Sequence, residues 1–355
     1  MTRADGSHEN SDGRAHAAFF VTASPHLHSP DSTERIMWSV IASLVPVVVA
    51  ACWFFGVSAL ALIAACVAGA LLPERLMGRG RTLRDGSAVI TGVLLALSLP
   101  PGLPLWMAFV GAAFGISAGK IVFGGLGQNV FNPALLGRAF LQAAFPVSLT
   151  TWPAPGGSFW SLRGDTFAWP FQSPSAVDTI TAATPLGAFK FEGLSSSVAD
   201  MALGQTGGSL GETSALLLLV CAGWLAVQGY LNWRIPVSIF LTVTIIAALL
   251  QLIDSARYPG PLFMLCSGGL MLGALYMATD MVTSPVTDKG CWIFGLGIGA
   301  LVVIIRVWGG MAEGVMYSIL LMNALVPFID RVTQPRVFGT GLQGEAGPPP
   351  PGAAP

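Results

Sequence analysis

Charge is what this chain has least of. Only 10% of its 355 residues are Asp, Glu, Lys or Arg, against roughly 25% in an ordinary soluble domain, so it lacks the polar material to cover a globule in water. The formal net charge of -1 removes the basic footprint that nucleic acid requires. Cysteine is also scarce: Cys52, Cys66, Cys221, Cys266 and Cys291 stand far apart, with no C-x-x-C and no clustering that could ligate zinc or an iron–sulfur centre. They read as small apolar residues of helix cores. No ATP-binding loop and no nicotinamide-binding fingerprint appears. The polar first stretch, 1–34, lacks the basic-then-apolar layout of a secretory signal and is expected to stay on the side of synthesis.

What the chain has is apolar sequence. Hydrophobic residues make up 53% of it, the mean hydropathy is +0.69, and 43 Gly with 25 Pro fit helices whose neighbours repair the backbone inside a bilayer. Apolar runs cover 36–55, 57–72, 87–99, 105–123 and 134–149, then 213–231, 235–253, 262–279, 291–308 and 315–329. Most are long enough to cross about 30 Å of hydrocarbon, so the expected fold is all-α, a polytopic membrane protein of about ten transmembrane helices. The third run is short and ends at Pro100 and Pro101, as a half-helix would.

Basic residues set the expected orientation. Arg75, Arg79, Arg81 and Arg84 follow the second run, Arg331 and Arg336 follow the last, and Arg3, Arg14 and Arg35 precede the first. An even number of crossings separates these groups, which puts both termini on the cytoplasmic side. The segment 150–212 falls outside, and its charges are mainly acidic: Asp165, Asp178, Glu192, Asp200 and Glu212 against Arg163 and Lys190.

The chain also resembles itself. Phe123-Gly124-Gly125-Leu126-Gly127-Gln128 matches Trp308-Gly309-Gly310-Met311-Ala312-Glu313, and Gly92 to Ser98 matches Gly273 to Thr279 at nearly the same offset. Five spans per repeat make the halves inverted in the membrane, the plan of many transport proteins. The expected organisation is a cytoplasmic segment 1–34, a first repeat 35–149, an outer loop 150–212, a second repeat 213–330 and a cytoplasmic tail 331–355 with a disordered Pro-rich end. Gly111, Gly115 and Gly119, and Gly295, Gly297 and Gly299, read as packing seams.

The outer loop carries the chemistry. Asp178-Thr179-Ile180-Thr181-Ala182-Ala183-Thr184-Pro185 resembles the D-x-x-[ST]-[AG]-A-T stretch at which a flavin transferase attaches FMN to threonine through a phosphodiester. Chance matches are expected in roughly a few per thousand chains of this composition. The acceptor must be a hydroxyl, Thr184, and Pro185 biases it toward the extended backbone that presents it. Ala182 and Ala183 leave room for the transferase and the ring; Asp178 and Thr181 suit recognition or positioning. Trp152, Trp160 and Trp169 suit either an interfacial aromatic belt or a cover over the flavin.

From about Ser24 to Gly339 the chain resembles the RnfD subunits of Rnf electron-transport complexes, relatives of the NqrB subunit of the sodium-pumping NADH:quinone reductase. The matching text includes Ser24-Pro25-His26, Asp85-Gly86-Ser87-Ala88, Gly124 to Asn129 with Phe131-Asn132-Pro133, the flavinylation stretch, Thr279-Asp280 with Ser284 to Thr287, and Pro335 to Gly339. The resemblance implies a multi-pass inner-membrane subunit with covalent FMN on Thr184 facing the periplasm. It implies partner subunits that handle ferredoxin and NAD, a flavin transferase for maturation, and translocation of Na⁺ or H⁺. It also allows a second, noncovalent flavin, riboflavin. An NqrB-like quinone reductase subunit and a non-redox inverted-repeat channel or transporter are the competing readings.

Polar residues near the span ends leave two readings open. Gln128, Asn129, Asn132, Asp280 and Glu313 form an ion route or second-flavin region, or they serve with Lys120, Arg138 and Arg306 as helix-end anchors and partner contacts. His26 and His28 without further ligands read as an exposed or partner-contacting pair rather than a metal site.

Overall fold

The computed structural model describes residues 31–77, 85–153, 155–160, 162–170, 184–204, 206–212, 214–255 and 257–335. Asp178, Thr181, Ala182, Ala183, His26 and His28 lie outside them. Among the described residues the chain is helical, with no β-strand.

The first half contains α1 (Thr33–Phe55), α2 (Val57–Met77), α3 (Ser87–Leu97), α4 (Leu105–Ile116) and α5 (Pro133–Ala144), with a one-turn α6 (Pro146–Leu149). The intervening segment holds α7 (Pro185–Gly187) and α8 (Val198–Leu203). The second half contains α9 (Ala215–Val227), α10 (Arg234–Ile253), the short α11 (Pro261–Cys266) and α12 (Leu270–Leu272), then α13 (Asp288–Trp308) and α14 (Val315–Thr333).

Five of these helices, α1, α2, α10, α13 and α14, are long and apolar enough to cross a membrane unbroken. The other five expected spans are shorter or interrupted, four of them for a local reason; the fifth, α9, has 13 residues. Asp85 caps α3, taking the Ser87 amide at 2.9 Å and its hydroxyl at 2.7 Å; eleven residues later the helix stops before Pro100 and Pro101. α4 continues into a π-turn, Ser117–Ile121. α5 ends at Phe145, where Pro146 supplies no amide to continue it. The run 262–279 is broken: α11 stops at Ser267, Gly268 takes a left-handed φ of 63°, and the chain resumes as α12 and a π-turn, Gly273–Met277.

The two halves use the same pairings. α2 packs on α4 as α10 packs on α13, α4 on α5 as α13 on α14, and α2 on α3 as α10 on α11. The halves meet where α1 packs on α9 and α5 on α14. Glycines permit the closest approaches. A Cβ on Gly115 would strike the Pro133 carbonyl oxygen, and one on Gly119 would stand 3.0 Å from Pro133 Cα. On α13, Gly295 faces Ser238 and Gly299 faces Thr242 of α10, at 2.6 and 2.7 Å from an added Cβ, while Gly297 faces Met322 of α14 at 2.5 Å. Both glycine series are seams, as their spacing predicts.

All five cysteines are free thiols, with Cys66, Cys221 and Cys291 buried. Large apolar side chains such as Trp53, Val227, Leu252 and Val332 are each more than 80% exposed, an arrangement that lipid or another membrane subunit covers and water does not.

Candidate functional site

α13 has 21 residues, or about 31 Å at 1.5 Å per residue. Asp280 and Met281 precede its start and Gly310 to Glu313 follow its end, so the two clefts these residues line open at opposite ends of the helix bundle.

The larger cleft, of about 370 Å³, is lined by Thr184, Trp152, Arg138, Glu212, Glu313 and Tyr317 among others. That volume is within the roughly 300–1,000 Å³ of small-molecule and cofactor sites. Thr184 has φ -63° and ψ 149°, the extended backbone that a following proline favours. Its Oγ1 caps α7, accepting the Gly187 amide at 3.1 Å, a bond that leaves the hydroxyl hydrogen unused. Trp152 joins this cleft; Trp160 and Trp169 are exposed elsewhere, at 79% and 78%.

A charged cluster forms the floor and seals the break in the second half. Arg306 Nη1 and Nη2 donate to the carbonyls of Met264 and Ser267 at 2.6 and 2.8 Å, closing the C-terminal end of α11. Glu313 Oε1 accepts the Gly269 amide at 2.5 Å just before α12, and its Oε2 pairs with Arg138 Nη2 of α5 at 2.6 Å. The Arg138–Glu313 pair therefore joins the two halves. Glu212, at the end of the 3-10 turn Leu210–Glu212, accepts the Ser209 amide through Oε2 at 3.2 Å. Burial, then the neighbouring Glu313, push the Glu212 carboxyl up to about 8. Burial also pushes Glu313 up, but Arg138, the Gly269 amide, Glu212 and Arg306 outweigh it and hold Glu313 below its ordinary value.

The smaller cleft, of about 90 Å³, brings together Lys120, Asn129, Asn132, Tyr276, Thr279 and Asp280. Asn132 does structural work: its Oδ1 caps α5 through the Ala134 and Leu135 amides at 3.0 and 3.4 Å, and its Nδ2 donates to the Met277 carbonyl of the other half at 3.1 Å. Asn129 is buried, its Oδ1 without a partner. Burial raises the titration of Asp280, opposed by bonds from the Val282 amide and the Thr283 hydroxyl. Lys120 is buried against Glu74, 2.6 Å away.

The five residues grouped from the sequence are thus divided. Asn129, Asn132 and Asp280 meet in the smaller cleft and Glu313 lines the larger one, whereas Gln128 is exposed and lines neither. Sequence reasoning missed the role of Glu212, which reads as one more acid of a polar loop, and of Glu74 as the partner of Lys120. The repeat held a partial signal, because it aligns Glu313 with Gln128 and so marks Glu313 as a charge where the first half carries none.

The match to known proteins runs along the same elements. Residues 20–339 fit the model of the NQR2, RnfD, RnfE family. A relative from Stutzerimonas stutzeri, named as the D subunit of an ion-translocating oxidoreductase complex, is 44% identical over 88% of this chain and 94% of its own length. One from Clostridium ljungdahlii, named as the D subunit of a proton-translocating ferredoxin:NAD(+) oxidoreductase complex, is 42% identical over 91% and 96%. One from Acetobacterium woodii, named as the D subunit of a Na(+)-translocating ferredoxin:NAD(+) oxidoreductase complex, is 42% identical over 92% and 97%. With the match spanning both halves, the loop between them and both clefts, this chain belongs to the NQR2, RnfD, RnfE family.

Proposed function

We propose that the chain is the D-type membrane subunit of an ion-translocating ferredoxin:NAD oxidoreductase complex and that it relays electrons through FMN attached covalently to Thr184. The observation that carries this reading is a threonine in the flavinylation stretch that lines a cleft of about 370 Å³, in a chain whose relatives are named as subunits of such complexes. The residues present suit the group. Thr184 offers the hydroxyl for the phosphodiester. Trp152, Phe191, Met311 and Met316 give apolar walls, and Arg138, Glu212 and Glu313 give a polar floor. When bound, FMN supplies the redox chemistry; the chain anchors it, keeps water from its faces and fixes the charge around it. Ferredoxin and NAD are handled by partner subunits, and a flavin transferase matures the site.

On the same reading both termini are cytoplasmic and the Thr184 cleft faces the periplasm, supported by the arginines after α2 and α14 and by the helix alternation between them. The smaller cleft then opens inward. Its amides, the hydroxyls of Tyr276 and Thr279, and the unpartnered Asn129 Oδ1 suit a small polar ligand or ion; at about 90 Å³ the cleft is below the roughly 300–1,000 Å³ of cofactor sites, so a second, noncovalent flavin requires it to widen.

The test is co-expression with a flavin transferase followed by a denaturing gel under ultraviolet light. A fluorescent band that disappears in Thr184→Ala is the expected result. A dark wild-type band, or a bright Thr184→Ala band, refutes the assignment.

A further inference from the structure

Four charged side chains converge on the helix break from four separate elements: Arg138 of α5, Arg306 of α13, Glu313 of the turn before α14, and Glu212 of the turn before α9. A side-chain carbon on Gly269 would stand 3.3 Å from Glu313 Oε1, 3.4 Å from Glu212 Oε1 and 3.9 Å from Arg138 Nη1. Three of the groups therefore surround one point. Glu212 Oε1 is buried with no donor, and it stands within 3.4 Å of the same point that Glu313 Oε1 approaches to 3.3 Å. Two carboxylates this close and buried repel one another, which favours a proton on one of them. With the proton in place, two arginines face a single negative charge, and the surplus positive charge lies beside the cleft that Thr184 lines.

We propose that Glu212 and Glu313 form a proton-binding pair coupled to electron charge in this cleft, holding a proton more tightly when an electron resides there and releasing it when the electron leaves. The inference rests on the flavin reading above. The step balances: a one-electron donor of the complex supplies the electron, the outer solution supplies the proton that forms the Glu212 O–H bond, and both depart on reoxidation. The other titratable groups on the cleft are engaged or remote from the pair. Glu192 is exposed, Tyr317 lies on α14, and Lys190, beside the cleft, donates to the carbonyls of Gly309 and Met311. α1, α3 and α12 pack against the Glu212 turn; α3 and α12 with the chain beside them bring Leu97, Leu99 and Leu272 to it, and α1 has no Asp, Glu, Lys, Arg or His after Arg35. With Glu212 displaced upward to about 8, the exchange takes place from about that pH upward. An added negative charge about 7–10 Å away, at an effective dielectric of about 20, raises it by a further one to two pH units, a ten- to hundredfold change in proton affinity.

The experiment has two arms. In the full-length Thr184→Ala chain, infrared difference spectroscopy across pH should show a protonated-carboxyl band that titrates near 8, vanishes in Glu212→Gln and persists, displaced, in Glu212→Asp. This arm needs no flavin, so it stands or falls apart from the attachment site. In the flavin-loaded complex, the reduction potential should fall above about pH 8 with a slope approaching a tenfold change in the one-electron equilibrium per pH unit, about 59 mV, and Glu212→Gln should flatten it. No titrating band in the parent Thr184→Ala chain overturns the pair, whatever the variants do. A titrating band with a potential whose slope is unchanged by Glu212→Gln overturns the coupling.

Discussion

Replacing Lys120 by Met should be among the most damaging single changes in the membrane part of this protein. Lys120 lies on the π-turn after α4 and Glu74 on the last turns of α2, and their side chains are 3% and 1% exposed. Lys120 Nζ is 2.6 Å from Glu74 Oε1, 2.5 Å from Ser87 Oγ and 3.9 Å from Asp85 Oδ2. At an effective dielectric of about 20, the ion pair at 2.6 Å is worth about 6 kcal/mol gross and the longer one about 4; desolvation of each ion removes several kcal/mol of this. Net stabilisation is therefore small, but Lys120→Met leaves Glu74 buried and uncompensated, facing Asp85, at a cost of about 3–5 kcal/mol. For a chain of this size that is a loss of roughly 4–7 °C in Tm, measurable by tryptophan fluorescence in detergent. The double variant Glu74→Leu with Lys120→Met removes both charges and should recover most of the loss. A single variant with unchanged Tm refutes the burial of the pair. A double variant as unstable as the single refutes uncompensated charge as the cause.

Three further outcomes follow from the same structure. Gly115→Ala should cost about 1–3 kcal/mol by forcing a methyl group into the Pro133 carbonyl, whereas Gly223→Ala on α9, with nothing within 4 Å, should be neutral or stabilising by about 0.5–1 kcal/mol; equal melting temperatures would contradict the seam. Asn132→Ala removes the α5 cap and the bond to Met277 and should cost about 1–3 kcal/mol; a Tm within error of the parent counts against both contacts. Glu212 titrates near 8 when folded and near 4.5 otherwise, so its protonated form contributes stability that is complete below about 4.5 and is lost as pH rises through 8. The Tm of the parent should accordingly fall relative to Glu212→Gln between pH 5 and 9 in paired thermal scans, and parallel curves would sink the assignment.

Legibility in the sequence followed the range of the interactions. The short α3 could be read because Asp85 and the prolines 100 and 101 bound it locally, and the extended backbone of Thr184 because its neighbour Pro185 dictates it. The glycine seams were readable from spacing alone. The break between α11 and α12 was not, since the run 262–279 is apolar throughout and its only warning is the pair Gly268-Gly269. What makes the break tolerable is remote: Arg306 satisfies the carbonyls of Met264 and Ser267 from 39 to 42 residues away, and Glu313 the Gly269 amide from 44. The acid at Glu212 and the partner of Lys120 were hidden for the same reason, the Lys120–Glu74 contact joining residues 46 apart.

The internal repeat separates what packing demands from what the larger cleft demands. The offset that aligns Phe123 with Trp308 also aligns Arg138 of α5 with Asn323 of α14. Each reaches across to the opposite half: Arg138 pairs with Glu313, and the Asn323 amide, oriented to satisfy its neighbours, accepts the Asn132 amide and donates to the Thr283 carbonyl, both at 3.3 Å. Equivalent positions in a duplicated fold thus make equivalent bridges, at opposite ends of the bundle. A neutral amide is sufficient for the bridge beside the smaller cleft, so helix packing does not require an ion pair at the other. A buried pair of charges gains little over apolar packing of similar volume, and stability alone offers no reason for Arg138 and Glu313 to be charged. The reason lies in what they face, the cleft with the Thr184 hydroxyl, where a fixed positive charge with a titratable acid beside it sets the energy of any charge that enters.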